Sequence, residues 1–236
     1  MGLNVLIVVI SYLLGSVPTA YIAARWVRDF DIRQQGSGQV GGSNVWHTVS
    51  RRAAIFVGIV DFGKGLVAVL VARLLGASVE GQVLASVAAV AGHNWSVLLR
   101  FSGGRGIATM AGALALLAPW GLAVLAVFGL AGLLSKAIPV GMLLGVAALP
   151  PATWLLGEPT TVVLGCLSMF LLMMVKRVVP RRKWPSRERR RVLLYRLLFD
   201  RDVRSKEAWV KGRHGEVAPS GVASVEQRKT GQGETA

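Results

Sequence analysis

The sequence predicts an all-α polytopic membrane protein with about seven transmembrane helices. Of its 236 residues, 53% are hydrophobic, and these residues form long runs that contain few charges. An α-helix needs about 20 apolar residues to cross the hydrocarbon core of a bilayer, and several of the runs approach or exceed that length. Basic loops separate the runs, which is typical of a chain that crosses a membrane repeatedly.

Six apolar runs define the candidate spans. They are residues 3–26, 53–75, 83–99, 107–134, 139–156 and 160–175. The first run is longer than the apolar region of a signal peptide, and no clear cleavage site follows it, so we expect a retained transmembrane helix. Pro18 lies within this run, and proline is a common cause of helix kinks.

The charges between the runs set the number of crossings. The positive-inside rule places the loop at 25–52, the loop at 100–105 and the C-terminal tail in the cytoplasm. An even number of crossings must then separate the second loop from the tail, so the run at 107–134 divides, and Pro119-Trp120-Gly121 is the natural turn. The result is seven spans, with the N-terminus outside and the C-terminus cytoplasmic.

The C-terminal tail is strongly basic. The formal net charge of the chain is +15, and residues 176–213 hold fifteen Lys or Arg against four Asp or Glu. In a soluble protein this charge would suggest nucleic acid, but directly after an apolar span it indicates contact with anionic lipid head groups. We therefore expect anionic membrane lipids as partners and no nucleic acid.

Three regions follow from this pattern. Residues 1–180 form an integral membrane domain, residues 181–213 a basic, partly amphipathic cytoplasmic tail with a helix within 188–199, and residues 214–236 a disordered end. Cys166 is the single cysteine, and the sequence contains no metal-ligand spacing. We therefore expect no disulfide within the chain, no metal and no cofactor.

A glycine-rich loop at 36–44 is the first candidate site. Backbone amides in such a loop can turn toward an anion, and Ser and Asn side chains add neutral donors. We expect a helix to resume at Val45 with Ser43 or Asn44 as its N-cap, an arrangement that favours phosphate. A flexible linker is the alternative, but the basic residues beside the loop favour an anion site. The candidate phosphate-binding residues are Gly36, Ser37, Gly38, Gly41, Ser43, Asn44, His47 and Arg52.

A second glycine-rich loop at 102–106 precedes the fourth span. It predicts a small anion-binding nest in which Arg105 supplies the charge and the following helix adds its dipole. The other candidate binding residues of this loop are Gly103, Gly104 and Gly106. His93, shortly before the loop, is a candidate proton carrier, and a histidine that only satisfies a helix end is the alternative.

Asp61 and Lys64 lie inside the second apolar run. They are three residues apart and therefore share a helix face. Charges at this depth are costly, so we expect both side chains to face the bundle interior or a wet cavity. Either Lys64 binds substrate phosphate, or the two residues form an internal ion pair that only fixes the packing.

Four of these stretches occur in an order and spacing that resembles one family. They are Gly36-Ser37-Gly38 with Ser43-Asn44-Val45, Asp61-Phe62-Gly63-Lys64-Gly65, Gly92-His93-Asn94-Trp95, and Phe101-Ser102-Gly103-Gly104-Arg105-Gly106-Ile107-Ala108-Thr109. Over residues 5–175 the chain resembles the bacterial membrane acyl-phosphate:glycerol-3-phosphate acyltransferases of the PlsY type. The resemblance implies an active site on the cytoplasmic face of the bacterial inner membrane. It also implies acyl transfer from acyl-phosphate to the 1-hydroxyl of glycerol 3-phosphate, which gives lysophosphatidic acid for phospholipid biosynthesis.

The same resemblance implies roles for the site residues. The catalytic residues would be Ser37, Lys64, His93 and Arg105. The first loop would hold the acyl-phosphate, while Lys64 and Arg105, together with His47 or Arg52, would hold glycerol 3-phosphate. Neither a metal nor an acyl-enzyme intermediate is implied.

The chain departs from the family pattern at several positions. His47 stands where the family has a phosphate-binding Arg, Arg105 replaces a Lys, and residues 173–178 lack the family's third motif, a His and an Asn. Two alternatives therefore stay open. One is a divergent relative that uses another phosphorylated acceptor or only binds phospholipid, and the other is a transporter or scaffold, for which an inverted repeat is expected. The sequence makes no prediction of the oligomeric state.

Overall fold

The computed structural model describes residues 2–179 and 189–200, which form helices connected by short loops. The α-helices are α1 (Gly2–Ser16), α2 (Thr19–Arg28), α3 (Gly42–Thr48), α4 (Arg51–Leu74), α5 (Val79–Asn94), α6 (Ile107–Leu117), α7 (Pro119–Leu134), α8 (Ile138–Leu155), α9 (Thr160–Val178) and α10 (Arg189–Phe199). Short 3₁₀ turns lie at Ile32–Gln34 and Val97–Leu99. No strand occurs in the two described ranges, so the predicted all-α class is confirmed.

The first apolar run contains two helices. Together α1 and α2 form a candidate membrane span of 27 residues, Gly2–Arg28, which is broken at Val17 and Pro18. Pro18 has φ −90° and ψ 67°, outside the helical region. The predicted kink is therefore a complete break, and the Val17 carbonyl beside it accepts a hydrogen bond from Lys64.

Four segments of the described chain are long and apolar enough to cross a membrane. They are Gly2–Arg28, Arg51–Leu74, Ile138–Leu155 and Thr160–Val178. The apolar helices α6 and α7 are shorter. The helix breaks between them at Ala118, which has φ −153° and ψ 78°, and Pro119 opens α7 in the first-turn position that proline favours. The predicted division of the run at 107–134 into two helices is therefore confirmed, but the predicted turn is displaced: the break lies at Ala118, and Pro119-Trp120-Gly121 forms the first turn of α7.

The third predicted span has different boundaries. It was expected at 83–99, but α5 begins at Val79 and ends at Asn94. Trp95 leaves the helical region with φ −129° and ψ 71°, and the chain then turns through Val97–Leu99 toward the second glycine-rich loop. The apolar residues after Asn94 therefore belong to the loop and not to the helix.

Contacts between the long helices fix the relative directions of several of them. α1 runs antiparallel to α4, because Ile7 shares a buried cluster with Ala72 near one end and Val17 contacts Lys64 near the other. α5 runs parallel to α9, because Glu80 contacts Thr161 near their first residues and Trp95 contacts Lys176 near their last. α7 runs antiparallel to α8, because Gly132 lies against Gly141 while Gly121 lies near Thr153. These directions agree with seven alternating crossings. The number of crossings and the side on which each terminus lies stay predictions.

Helices α4 and α6 approach each other closely. A β-carbon at Gly65 would collide with the backbone of Thr109, and one at Gly112 would collide with the backbone of Phe62. Small residues at helix crossings in membranes allow this approach. The crossing fixes the first turn of α6, and hence the loop before it, beside the middle of α4.

The buried apolar side chains form two main clusters. The larger lies among α5 to α9 and includes the fully buried Met110, Leu114 and Leu149. The second lies beneath the first glycine-rich loop and includes Ile32 and Val40. The first loop therefore packs against a buried apolar cluster that is separate from the larger one.

The tail returns to the bundle as α10. This helix lies within the range predicted from the sequence, 188–199, so the prediction of a helix there is confirmed. Residues 180–188 and 201–236 lie outside the described residues. The predicted division into a membrane domain, a basic tail and a disordered end therefore stays a prediction.

Candidate active site

A cavity of about 610 Å³ lies between the two glycine-rich loops and the helices that follow them. Its polar lining comes from Gln39, Gly41, Gly42, Ser43, Asn44, His47, Asp61, His93, Gly104, Arg105, Gly106, Lys136, Arg177 and Asp200. Its apolar lining includes Ile107, Ala111, Leu122, Leu125 and Met142. Ligand sites commonly combine apolar walls of this kind with a small number of convergent polar groups.

The short helix α3 begins earlier than predicted. It starts at Gly42, and its N-cap is Gly41, which has no side chain that could cap the helix. Ser43 and Asn44 lie inside its first turn, so the prediction that one of them caps this helix is wrong. The physical reason is that the Asn44 side chain turns back and finds its partners in the preceding loop.

Asn44 holds the first glycine-rich loop together. Its side chain is buried, and its Nδ2 donates to three backbone carbonyls at 3.0–3.2 Å, one inside the loop and two just before it. The acceptors are Ile32, Gln35 and Gln39. Its Oδ1 accepts a hydrogen bond from the backbone amide of Ser37 at 3.1 Å. The amide group of Asn44 thus shapes the loop from within.

The rest of the first loop divides into an inner part and a cavity face. Gly36 and Gly38 turn the chain with φ values of 53° and 67°, in the left-handed region that glycine favours. The buried Ser37 hydroxyl accepts a hydrogen bond from the amide of Gln39 at 3.2 Å, and Ser37 lies outside the cavity lining. Gly41, Gly42 and Ser43 line the cavity instead. The predicted contact between Ser37 and phosphate therefore stays a prediction.

The basic residues around the first loop differ in where they lie. Arg33 donates to both carboxylate oxygens of Asp31, which lowers the pKa of that carboxyl below its usual range. Arg52 is exposed in the first turn of α4 and does not line the cavity, whereas His47 does. Of the two basic residues predicted to bind phosphate here, the structure brings His47 to the cavity and leaves Arg52 outside it.

Asp61 and Lys64 form a buried ion pair on the shared face that the sequence predicts. Lys64 Nζ lies 2.6 Å from Asp61 Oδ1 and 2.6 Å from the carbonyl oxygen of Val17. Thr19 donates to the same Asp61 oxygen at 3.1 Å. Lys64 lines a small cavity of about 10 Å³ behind the ion pair and not the large one. Lys64 is therefore held beside Asp61 and away from the large cavity, and its predicted contact with substrate phosphate stays a prediction.

His93 connects this ion pair to the second glycine-rich loop. Its Nδ1 lies 3.7 Å from Asp61 Oδ1, and the residue lines the large cavity. On the other edge of the ring, a β-carbon at Gly104 would collide with His93 Nε2 and would lie 2.7 Å from the carbonyl oxygen of Val40. The Gly104 amide also donates to the His93 carbonyl at 3.1 Å. Glycine at 104 therefore lets the loop close against the imidazole.

The remaining glycines of the second loop set its path into α6. Gly103 lies against the backbone of His93 and Asn94, so it forms the inner side of the loop. Gly106 precedes α6 with φ 72° and lines the cavity. The predicted site residues Gly104, Arg105 and Gly106 are thus together at the cavity, and Gly103 supports them from behind.

Arg105 extends from the second loop toward the C-terminal helix. Its Nε donates to Asp200 Oδ2 at 3.1 Å, its Nη2 is paired with Asp200 Oδ1, and its Nη1 donates to the carbonyl of Lys176. The side chain is 15% exposed. Arg105 therefore occupies a position between both loops and the ends of α9 and α10.

Sequence reasoning missed three charged residues that line the cavity, Lys136, Arg177 and Asp200. Arg177 is 1% exposed and donates to the carbonyls of Pro139 at 3.0 Å and Leu197 at 2.6 Å. Within the described residues its Nε has no hydrogen-bond partner. Arg177 was overlooked because the whole basic run after the last span was assigned to lipid head groups. The position of Arg177 in the last turn of an apolar helix was a signal that could have identified it.

The fold and the cavity define an integral membrane protein that can hold an anionic group beside an apolar chain. The family model described as glycerol-3-phosphate acyltransferase matches residues 5–183. The chain belongs to this family, so the resemblance seen in the four motifs is confirmed and the transporter or scaffold alternative is set aside.

Named relatives match most of the chain. Glycerol-3-phosphate acyltransferase 5 of Dehalococcoides mccartyi is 38% identical over 217 residues, covering 87% of this chain and 92% of the relative. The glycerol-3-phosphate acyltransferase of Endomicrobium trichonymphae is 35% identical over 188 residues, covering 77% and 94%. The crystal structure of PlsY, an integral membrane glycerol 3-phosphate acyltransferase, in its glycerol 3-phosphate form is similar with a TM-score of 0.70 and 24% identity. That alignment covers 83% of this chain and 94% of the other. The structural likeness shows the multi-pass helical membrane fold.

Proposed function

We propose that this acyltransferase moves an acyl group from acyl-phosphate to the 1-hydroxyl of glycerol 3-phosphate and releases lysophosphatidic acid and phosphate. The observation that carries this proposal is the cavity itself, in which two glycine-rich loops and Arg105 adjoin an apolar wall. Both substrates carry phosphate, and one of them also carries a long apolar chain. The polar part suits the phosphates and the apolar part suits the acyl chain.

The first loop would hold one phosphate through its cavity face. Backbone amides at 41–43 and the side chains of Ser43 and His47 lie along the cavity and are suitable donors. Asn44 and Gly36 would act indirectly, because they fix the shape of the loop. Charge for the second phosphate would come from Arg105, and Arg177 and Lys136 also line the cavity.

Direct transfer requires the hydroxyl and the acyl carbonyl to be held side by side. The hydroxyl oxygen forms a bond to the carbonyl carbon, the bond from that carbon to the phosphate oxygen breaks, and phosphate leaves. Holding both reactants in one cavity supplies much of the rate through proximity. The cationic groups would stabilise the negative charge that develops on the departing phosphate.

His93 is our candidate acceptor for the hydroxyl proton. It lines the cavity, and the Asp61 carboxylate beside its Nδ1 would orient the ring and stabilise its charged form. Lys64 holds Asp61 in place and would act through it. In this proposal Lys64 is a positioning residue, whereas His93 contacts the substrate.

The proposal also covers the side of the membrane that the cavity faces and the lipid contacts of the tail. We expect the cavity to face the cytoplasm of a bacterial cell from its inner membrane, because the loops around it are basic. Anionic lipid head groups would attract the basic tail. A divergent member that uses another phosphorylated acceptor is the second candidate, favoured by the absence of the third family motif at 173–178.

An acyl-transfer assay on the purified protein in lipid nanodiscs tests this function. Acyl-phosphate, acyl-carrier protein and acyl-CoA are offered as donors, and labelled glycerol 3-phosphate or dihydroxyacetone phosphate as acceptors. We expect labelled lysophosphatidic acid from acyl-phosphate and glycerol 3-phosphate. Product from dihydroxyacetone phosphate alone would establish the divergent acceptor. Binding of glycerol 3-phosphate without any product would contradict catalysis.

A further inference from the structure

The carboxylate of Asp200 lies where the two glycine-rich loops meet. Both of its oxygens face the Arg105 guanidinium, with Arg105 Nε 3.1 Å from Oδ2 and Nη2 paired with Oδ1. Gln39 of the first loop donates from its Nε2 to the same Oδ2 at 3.3 Å. The side chain is 16% exposed and lines the large cavity. An anionic group of the protein itself thus bridges the two candidate phosphate loops.

Helix α10, which ends directly before Asp200, is held against the bundle by buried arginines. Arg196, 6% exposed, donates to the carbonyl of Val179 at 3.1 Å. From the other side Arg177 donates to the carbonyl of Leu197 at 2.6 Å. These contacts join α10 to the end of α9 in the last turn before Asp200. The position of the carboxylate is therefore set by the docking of a whole helix.

Carboxylate and phosphate bind a guanidinium in the same way. Both offer two oxygens to a pair of guanidinium donors. Asp200 occupies the Nε and Nη2 atoms of Arg105, and Nη1 already donates to the carbonyl of Lys176. A phosphate that binds Nε and Nη2 must therefore displace the carboxylate. The match to the family model ends at residue 183, before α10 begins. The segment that brings the carboxylate to Arg105 therefore lies beyond the part of the chain that the family model describes.

We propose that Asp200 is an internal competitor for substrate phosphate at Arg105, and that it sets the apparent affinity of the site. This inference rests on the proposed function to the extent that Arg105 binds a substrate phosphate. When α10 is docked, the carboxylate occupies the guanidinium; when it withdraws, a phosphate takes the same donors. A phosphate dianion carries more charge than a carboxylate and displaces it by mass action.

The size of the effect depends on how often α10 is docked. A docked population of about 90% leaves one-tenth of the molecules competent, so it weakens the apparent affinity for phosphate about tenfold. Asn suits the test because it removes the charge at nearly constant shape. Asp200 has φ 56°, a conformation that Asn adopts as readily as Asp. Asp29 provides a matched control, since it has φ 49° and its side chain is 95% exposed.

The experiment compares the full-length wild-type protein with Asp200→Asn, Arg196→Ala and Asp29→Asn in nanodiscs. Equilibrium binding of inorganic phosphate and of glycerol 3-phosphate is measured first, and KM and kcat for both substrates second. We expect Asp200→Asn to tighten phosphate binding and to lower the KM of one substrate about tenfold, with kcat not reduced. Arg196→Ala removes a contact that docks α10 but keeps the carboxylate. It should also tighten phosphate binding and lower the KM. Asp29→Asn should match the wild type.

Unchanged or weaker phosphate binding in Asp200→Asn would overturn the proposal. A fall in kcat would also overturn it, since Asp200 would then position substrate instead of competing with it. The binding measurement does not depend on turnover. A wild-type protein that shows no acyl transfer would therefore contradict the proposed function, while the comparison of phosphate affinities would still decide the role of Asp200.

Discussion

The Nδ1 atom of His93 lies 3.7 Å from the Oδ1 atom of Asp61, although the two residues come from different helices and are 32 positions apart in the chain. The same Asp61 oxygen contacts Lys64 at 2.6 Å. One carboxylate oxygen is therefore shared between a buried lysine and the histidine that lines the cavity. This sharing makes the ion pair part of the candidate site and not only of the bundle interior.

Asp61→Asn should reduce both activity and stability. It removes the negative charge beside His93 and leaves Lys64 buried without its carboxylate. Breaking a buried ion pair in this way costs about 3 kcal/mol or more. Thermal unfolding in detergent and kcat report the two effects. The double variant Asp61→Asn with Lys64→Met should recover much of the stability, because no buried charge remains, but not the activity. Equal instability of the single and double variants would show that the ion pair is not what Asp61 supports.

Gly104→Ala should lower kcat by about tenfold or more, since a misplaced catalytic group can cost on the order of a hundredfold. The added methyl group would collide with the imidazole of His93, so the ring must move. Steady-state kinetics should show a larger effect on kcat than on KM. Gly63→Ala is the matched control, because its β-carbon meets no atom within 4 Å among the described residues. Full activity of Gly104→Ala would mean that the position of His93 is unimportant.

Arg105→Ala should lower kcat/KM about ten- to hundredfold, since a hydrogen bond to a charged group contributes about 1.5–3 kcal/mol. Arg105→Lys should keep most of the activity, because lysine also binds phosphate as a point charge. The control is Arg52→Ala, which removes an exposed arginine that does not line the cavity. Equal kinetics for Arg105→Ala and Arg52→Ala at limiting glycerol 3-phosphate would make the second loop structural.

The predicted topology can be tested with two matched cysteines in a Cys166→Ser background. Ser78, between α4 and α5, should lie outside, and Ser135, between α7 and α8, should lie in the cytoplasm. Both serines are exposed, and each is a small change to cysteine. An impermeant thiol reagent added to intact cells should therefore label Ser78→Cys only. Labelling of both would place α6 and α7 in a single crossing.

Local spacing predicted part of this site well. Asp61 and Lys64 are three residues apart on one helix, and that spacing alone predicts their contact. Gly104 and Arg105 were found because glycine-rich loops before a helix carry a recognisable signal. These features depend on residues close together in the chain, where backbone geometry fixes what can meet.

The parts that sequence reasoning missed depend on contacts between distant segments. Asn44 was predicted as a helix cap, but the carbonyls that it binds come from a fold of the preceding loop, which no local pattern specifies. Asp200 reaches Arg105 across 95 positions of the chain, and no spacing distinguishes it from the other three acids of the basic tail. The end of α5 at Asn94 was misplaced for a related reason, since apolar residues after it continue into a loop.

The break at Val17 and Pro18 makes the first membrane segment specific to this protein. Replacing residues 2–28 with an unrelated hydrophobic helix would keep the anchor and the topology, but it would remove the hydroxyl of Thr19 and the carbonyl of Val17 that hold Asp61 and Lys64. Expression designs and truncations should therefore treat the N-terminal segment as part of the enzyme and not as an interchangeable leader.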